Sequence, residues 1–185
     1  MSINYFELLG LPLSFSIDRP DLDKAYRSLQ QISHPDRFIN EAIERQRLAV
    51  QQTAQNTEAY QSLRSPVLRA CHLMTLLGHE FDLHNYTVSD IALLMQQMGY
   101  RDELVKIKDN NNMEELESFS ETIKGLTNSI LDIISDEFTA LNDVSLEYPN
   151  LIDTNSLKNH ICELQFLSKL ALDLDEVEEH LMLLQ

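Results

Sequence analysis

The chain has no tryptophan, only four glycines and five prolines among 185 residues, and two cysteines. So few helix breakers, beside an abundance of Leu, Ile, Gln and Glu, exclude a strand-and-turn architecture and predict an all-α protein. Cys71 and Cys162 give no disulfide framework and share no metal-type spacing, so a reducing, cytoplasmic home is expected. No apolar run approaches the roughly 20 residues needed to cross a bilayer. The segment Met1–Glu7 has neither a basic n-region nor an apolar h-region, so no signal peptide is expected. Also missing are a Gly-rich phosphate loop, an H-E-x-x-H pair and a nucleophile elbow, which argues against an enzyme.

Charge is present but unevenly placed. The net charge is −16; residues 1–79 hold 8 Lys/Arg and 8 Asp/Glu, whereas residues 80–185 hold 6 and 22. The whole excess lies in the second part. Such a field repels phosphate backbones, so nucleic acid and anionic membrane are poor partners, and a steered partner would be basic.

The N-terminal part is organised around His34-Pro35-Asp36. Pro35 has no N–H and pushes His34 into an extended conformation, so the helix before it must end by about Ser33. A rigid tip that presents an imidazole and a carboxylate suits a cationic partner group. An ordinary solvated connection is the plain alternative. Upstream, Asn4 caps a short helix from Tyr5 to Leu9, stopped by Gly10. Pro20, with Asp21 and Asp23 near the positive end of the dipole, starts a second helix. Its apolar stripe is Leu22, Tyr26, Leu29 and Ile32, with Lys24 and Arg27 off it. Downstream, Asn40 is expected to cap a third helix from Glu41 to about Leu63, with a modest core face of Ile43, Ala49, Val50, Ala54, Thr57 and Tyr60. Ser65-Pro66 caps a fourth helix that ends at Gly78.

A short helix, an antiparallel pair and His-Pro-Asp between them, with the opening Tyr5-Phe6-Glu7-Leu8-Leu9-Gly10, resembles the J-domain of DnaJ-type co-chaperones. The resemblance implies that His34, Pro35 and Asp36 contact a DnaK-type chaperone and stimulate its ATP hydrolysis. Lys24, Arg27 and Arg37 would help docking. There are departures from the family pattern: Ser33 stands where an aromatic is common, Arg37 replaces the usual Lys, and Gln30-Gln31 dilute the basic run.

Residues 79–88 read as a linker. His79, Glu80, Asp82 and His84, near Cys71-His72, invite a metal, but the paired short spacings of structural zinc are missing, so surface polar residues are the expectation. Beyond it, Ser89 is expected to cap a helix carrying Ile91, Leu94, Met95 and Met98 at i, i+3, i+4 and i+7, weakened or bent at Gly99. After the Asn110-Asn111-Asn112 turn, Leu116, Phe119, Ile123, Leu126, Ile130 and Ile133 form the seam of a long helix. Tyr148-Pro149-Asn150 breaks the chain. Asp153 or Thr154 then caps a last helix with Leu157, Ile161, Leu164, Leu167, Ala171 and Leu174 along one side. Phe166 falls nearly opposite Ile161, Leu164 and Ala171, off the seam.

A J-domain (residues 1–78), a linker (79–88) and an acidic three-helix bundle (89–185) together resemble the HscB-type co-chaperones of iron–sulfur cluster biogenesis. The resemblance rests on Leu63-Arg64-Ser65-Pro66, Arg69-Ala70, Leu94-Met95 with Gln97-Met98, Arg101-Asp102-Glu103-Leu104, and Phe166-Leu167 with Lys169-Leu170. It implies that the bundle binds an IscU-type scaffold through Leu94, Met95, Met98 and Phe166, with Asp102 as a charged rim contact. The J-domain would deliver that client to an HscA-type ATPase. By spacing alone Leu94, Met95 and Met98 read as core; the resemblance and the off-seam Phe166 favour a contact surface, for which flexible Met is suited. The four-cysteine zinc module of some members has no counterpart, so no metal or cofactor is implied. A J-domain adaptor for an unrelated client, and a stand-alone enzyme or metalloprotein, are the competing readings.

Overall fold

The computed structural model describes residues 3–79, 81–83, 85, 86, 88, 90–145 and 154–183. Among them the regular secondary structure is helical throughout: α1 (Tyr5–Leu9), α2 (Arg19–Ser33), α3 (Ile43–Arg64), α4 (Pro66–Leu76), α5 (Ile91–Asn110), α6 (Met113–Ser145) and α7 (Asn155–Met182), with a 3-10 turn at Pro35–Phe38. The chain divides into two compact units, Met1–Phe81 and Asp82–Gln185.

In the first unit, local chemistry sets most helix ends. Asn4 accepts hydrogen bonds from the backbone N–H groups of Phe6 and Glu7, and Gly10 closes α1 in the left-handed conformation. Asp18 occupies the N-cap position of α2, with Pro20 in its first turn. Ser65 caps α4 through the Leu68 N–H, and Gly78, at φ +82°, lets the chain turn back so that the His79 N–H reaches the Met74 carbonyl. Phe6, Leu9, Phe15, Leu22, Leu63, Leu73 and Met74 form the core. Arg69 joins it by laying its guanidinium over the Phe15 ring (5.0 Å) and donating to the Leu63 carbonyl (3.1 Å). Burial pulls the Arg69 pKa down to about 10.

Three expectations for this unit are corrected. Asn40 does not cap α3: Ala42 holds that position without a side-chain cap, and Gln46 turns back to donate to the Ile39 and Glu41 carbonyls. The inner face of α3 is Ala49, Asn56, Ala59 and Leu63, while Ile43, Val50 and Ala54 are exposed. On α2 the buried residue at the C-terminal end is Ser33, and Ile32 is exposed. The cause is common to the last two. The α2–α3 contact is largely polar, so apolar residues do not mark it: Tyr60 donates to Asp23 (2.8 Å), Gln30 donates to the Thr57 hydroxyl (3.3 Å), and the Tyr26 and Thr57 hydroxyls meet at 3.2 Å.

The second unit packs α6 against α7, with α5 touching both. Glu137 near the end of α6 meets Ser156 and His160 at the start of α7, at 2.7 and 2.9 Å, so these two helices are antiparallel. The seam of α6 is Leu116, Phe119, Ile123, Ile130, Ile134, Phe138 and Leu141. Ile133, expected there, is exposed, because the helix needs a step of four from Ile130 to keep facing α7. On α7 the seam passes through Leu170 rather than Ala171, then continues to Leu174, Val177 and Leu181. Asp90, not Ser89, caps α5: its carboxylate accepts from the Ala92 and Leu93 N–H groups, and α5 runs through Gly99 without interruption. Ser89, Glu80, His84, Tyr148-Pro149-Asn150 and Asp153 lie outside the described residues. Thr154 stands at the N-cap of α7 without a side-chain hydrogen bond.

Candidate partner-binding sites

α2 ends at Ser33 and the chain turns at once. His34 is extended (φ −58°, ψ 128°), as the following proline demands, and Pro35–Phe38 coils into a single 3-10 turn. The His34 ring is not left to rotate: Nδ1 accepts from the Asp36 N–H (3.3 Å) and lies 3.5 Å from an Asp36 carboxylate oxygen. The Asp36 side chain is 78% exposed and that of His34 51%. The tip therefore carries an exposed carboxylate beside an imidazole whose Nδ1 is engaged within the loop.

Arg37 is held within the loop. Its guanidinium donates to the Gln31 carbonyl at 2.8 Å, reaching back over the C-terminal turn of α2. That bond satisfies a helix-end acceptor and ties the two sides of the tip together. Lys24 and Arg27 are exposed on α2, away from its packed face. Phe38 is half-buried at the end of the turn.

The second unit carries a different kind of surface. α5 buries Leu104 and Ile107 and turns Leu93, Gln97 and Tyr100 partly inward. That leaves its opposite stripe in solvent: Ile91 is 69% exposed, Leu94 42%, Met95 68% and Met98 66%. Their helical spacing is thus an exposed stripe and not a core seam. Asp102 and Val105 continue the exposed surface. Phe166 on α7 is half-buried and outside the α7 seam, and the Arg101 guanidinium lies over its ring at 5.5 Å. Sequence reasoning named Ile91 in the stripe and Arg101 in a family-like run but gave neither a binding role; a cation three residues beyond Met98 on the same helix is the signal that was available.

His72, which invited a metal, is used otherwise. Its Nε2 accepts from the Tyr5 N–H (3.1 Å) and its ring stacks on Tyr5 at 4.2 Å, which docks α1 on α4. Burial lowers its pKa from the ordinary value. Among the described residues no three His, Cys, Asp or Glu side chains gather as a metal site, and no helix is long and apolar enough to cross a membrane.

Comparison with known proteins fits this two-part layout. The chain is 35% identical over 184 residues to a protein of Shewanella halifaxensis named "Co-chaperone protein HscB homolog", covering 97% of this chain and 99% of that protein. The chain belongs to the HscB family. A Shewanella pealeana protein of the same name is 35% identical over 185 residues, with 97% and 99% coverage. The model of the HscB C-terminal oligomerisation domain matches residues 89–175. Among solved structures, HscB from Vibrio cholerae superposes with a TM-score of 0.80 at 30% identity, covering 97% of this chain and 99% of that one. Human HscB has the same fold, with a TM-score of 0.77 at 21% identity and coverage of 98% and 82%. The first unit is the J-domain of an HscB co-chaperone and the second its C-terminal helical domain.

Proposed function

We propose that this HscB-family chain is an adaptor without an active site of its own, acting in iron–sulfur cluster assembly. Its J-domain engages an HscA-type, DnaK-like ATPase through His34, Pro35 and Asp36, with Lys24 and Arg27 on the docking face. Its C-terminal domain holds an IscU-type scaffold on Leu94, Met95, Met98 and Phe166, with Asp102 at the rim. The observation that carries the reading is the exposed stripe on α5: four large apolar side chains are left in solvent while the helix packs through Leu104 and Ile107 and turns Leu93, Gln97 and Tyr100 partly inward. Such a patch marks an interaction surface. Arg37 braces the tip through the Gln31 carbonyl and has a smaller part in direct contact.

The mechanism is linkage. One domain biases the ATPase cycle while the other raises the local concentration of the client at the chaperone. The test is steady-state ATP hydrolysis by the HscA-type chaperone, with this protein and an IscU-type scaffold added separately and together. Stimulation by both should exceed stimulation by either, and His34→Gln should abolish it while leaving scaffold binding intact. Stimulation indifferent to the scaffold would select a J-domain adaptor for an unrelated client. Stimulation that survives His34→Gln would overturn the assignment of the tip.

A further inference from the structure

Ser33 is the last residue of α2 and the one directly before His34. It is a small polar residue, 7% exposed, at a position where helical packing ordinarily takes an apolar side chain. Facing it on α3 is Asn56, 4% exposed. The Asn56 amide donates to the Ser33 hydroxyl at 3.1 Å, and that hydroxyl donates to the Leu29 carbonyl at 2.9 Å. The Ser33 carbonyl, one of the last in the helix and so without an intrahelical donor, accepts from the Thr53 hydroxyl at 3.0 Å. Three directional bonds thus meet at the residue from which the tip departs.

Hydrophobic contact alone would hold α2 on α3 while tolerating small sliding or rotation of the helix. Hydrogen bonds between buried groups do not, because a shift leaves a desolvated donor or acceptor without its partner. We propose that Ser33, Thr53 and Asn56 form a polar clasp that fixes the direction in which His34 leaves α2, making them positioning residues for the action of the tip on the chaperone. The clasp sets what the 3-10 turn inherits: the His34 carbonyl that receives the Arg37 N–H (3.1 Å), and the His34 ring that receives the Asp36 N–H (3.3 Å). The proposal rests on the chaperone-binding role of the tip for its functional consequence, but not for its structural one.

The experiment uses the full chain and two readouts. Thr53→Val removes the hydroxyl with little change of shape; Thr53→Ser keeps it; Ser33→Ala and Asn56→Leu break the other bonds. Amide hydrogen exchange at Asp36 and Arg37 reports the order of the tip, with Leu73 and Met74 in α4 as internal controls. In Thr53→Val and Ser33→Ala, exchange at Asp36 and Arg37 should rise several-fold with α4 unchanged, and Thr53→Ser should restore it. In ATPase assays the concentration for half-maximal stimulation should rise several-fold, with the saturated rate within about twofold, because a disordered tip reduces the competent fraction and leaves the contact itself intact. Unchanged tip exchange in all three clasp-breaking variants would overturn the proposal. So would a rise shared equally by α4, or a Thr53→Ser variant no better than Thr53→Val. Stimulation that persists in His34→Gln would overturn the role of the tip, while exchange still decides the clasp.

Discussion

The Arg101 guanidinium sits 5.5 Å from the centre of the Phe166 ring, joining α5 to α7 beside the exposed stripe of Leu94, Met95 and Met98. A cation over an aromatic face is worth about 0.5–1 kcal/mol at an exposed site and more once desolvated. A client covering the pair would desolvate it. Phe166→Ala is therefore expected to weaken scaffold binding strongly, and Arg101→Ala more modestly. The double variant should bind better than the sum of the single losses predicts, by about 0.5–2 kcal/mol of coupling. Calorimetric titration of the four proteins against an IscU-type scaffold measures it, and strict additivity would show the two side chains to be independent.

The two faces of α5 should separate stability from binding. Leu104 is buried against the bundle and Met98 is in solvent. Leu104→Ala should cost about 2–4 kcal/mol in urea unfolding of the C-terminal domain, as core truncations do. Met98→Ala should change stability by less than about 0.5 kcal/mol yet weaken scaffold binding. The opposite pattern would return Met98 to the core.

How much of this was legible in the sequence depends on what each helix packs against. α1 and the ends of α2 and α4 were readable from Asn4, Gly10, Pro35, Ser65 and Gly78, because caps and breakers act locally. The antiparallel α6 and α7 bury Leu, Ile and Phe, so their seams showed; the errors at Ile133 and Ala171 are each one residue from Ile134 and Leu170. Over long helices a choice between steps of three and four is settled only by the partner helix. α3 was misread for a different reason. Its inner face includes Asn56 and is flanked by Thr53 and Thr57, which pair with polar groups of α2, while Ile43 and Val50 point outward. Hydrophobic periodicity has no purchase on such an interface. The tip was legible as chemistry, but the bonds of Arg37 to Gln31 and of Thr53 to Ser33 run through backbone carbonyls, which no sequence pattern records.

His72 makes the J-domain sensitive to acid. Its Nε2 accepts the Tyr5 N–H, so the neutral ring is the one that fits, and burial lowers its pKa in the folded state. Below the ordinary histidine value of about 6.5 the unfolded chain binds the extra proton first, and stability falls as pH falls until the folded ring titrates too. Thermal unfolding at pH 7.5 and 5.5 should show a larger drop for the native chain than for His72→Phe, which keeps the stacking on Tyr5 without a titrating nitrogen. The Tyr5 hydroxyl donates to Glu58 at 2.9 Å, so the comparison is best kept above the carboxylate range.

Cys162 should be slow to react. Burial on α7 pushes its thiol up to about 11, leaving little thiolate at neutral pH. Alkylation by iodoacetamide at pH 7.5 is expected to be on the order of 10²-fold slower than for an ordinary cysteine, and to recover in urea. Fast labelling in the native protein would mean that α7 opens around that position.

Arg37 gives the sharpest test of how the tip is built. If its role were that of a point charge for the chaperone, Arg37→Lys would be nearly silent. The structure instead uses the guanidinium as a brace, 2.8 Å from the Gln31 carbonyl on the far side of the turn. Lysine has one ammonium where arginine has a planar fork, and it holds such a carbonyl less well. Arg37→Lys should therefore raise amide exchange at Asp36 and raise the concentration for half-maximal ATPase stimulation by about two- to fivefold, a cost of roughly 0.4–1 kcal/mol. Arg37→Ala should go further in the same direction. Equal activity of Arg and Lys at this position, with unchanged exchange, would assign Arg37 to the chaperone interface through charge and remove it from the architecture of the loop.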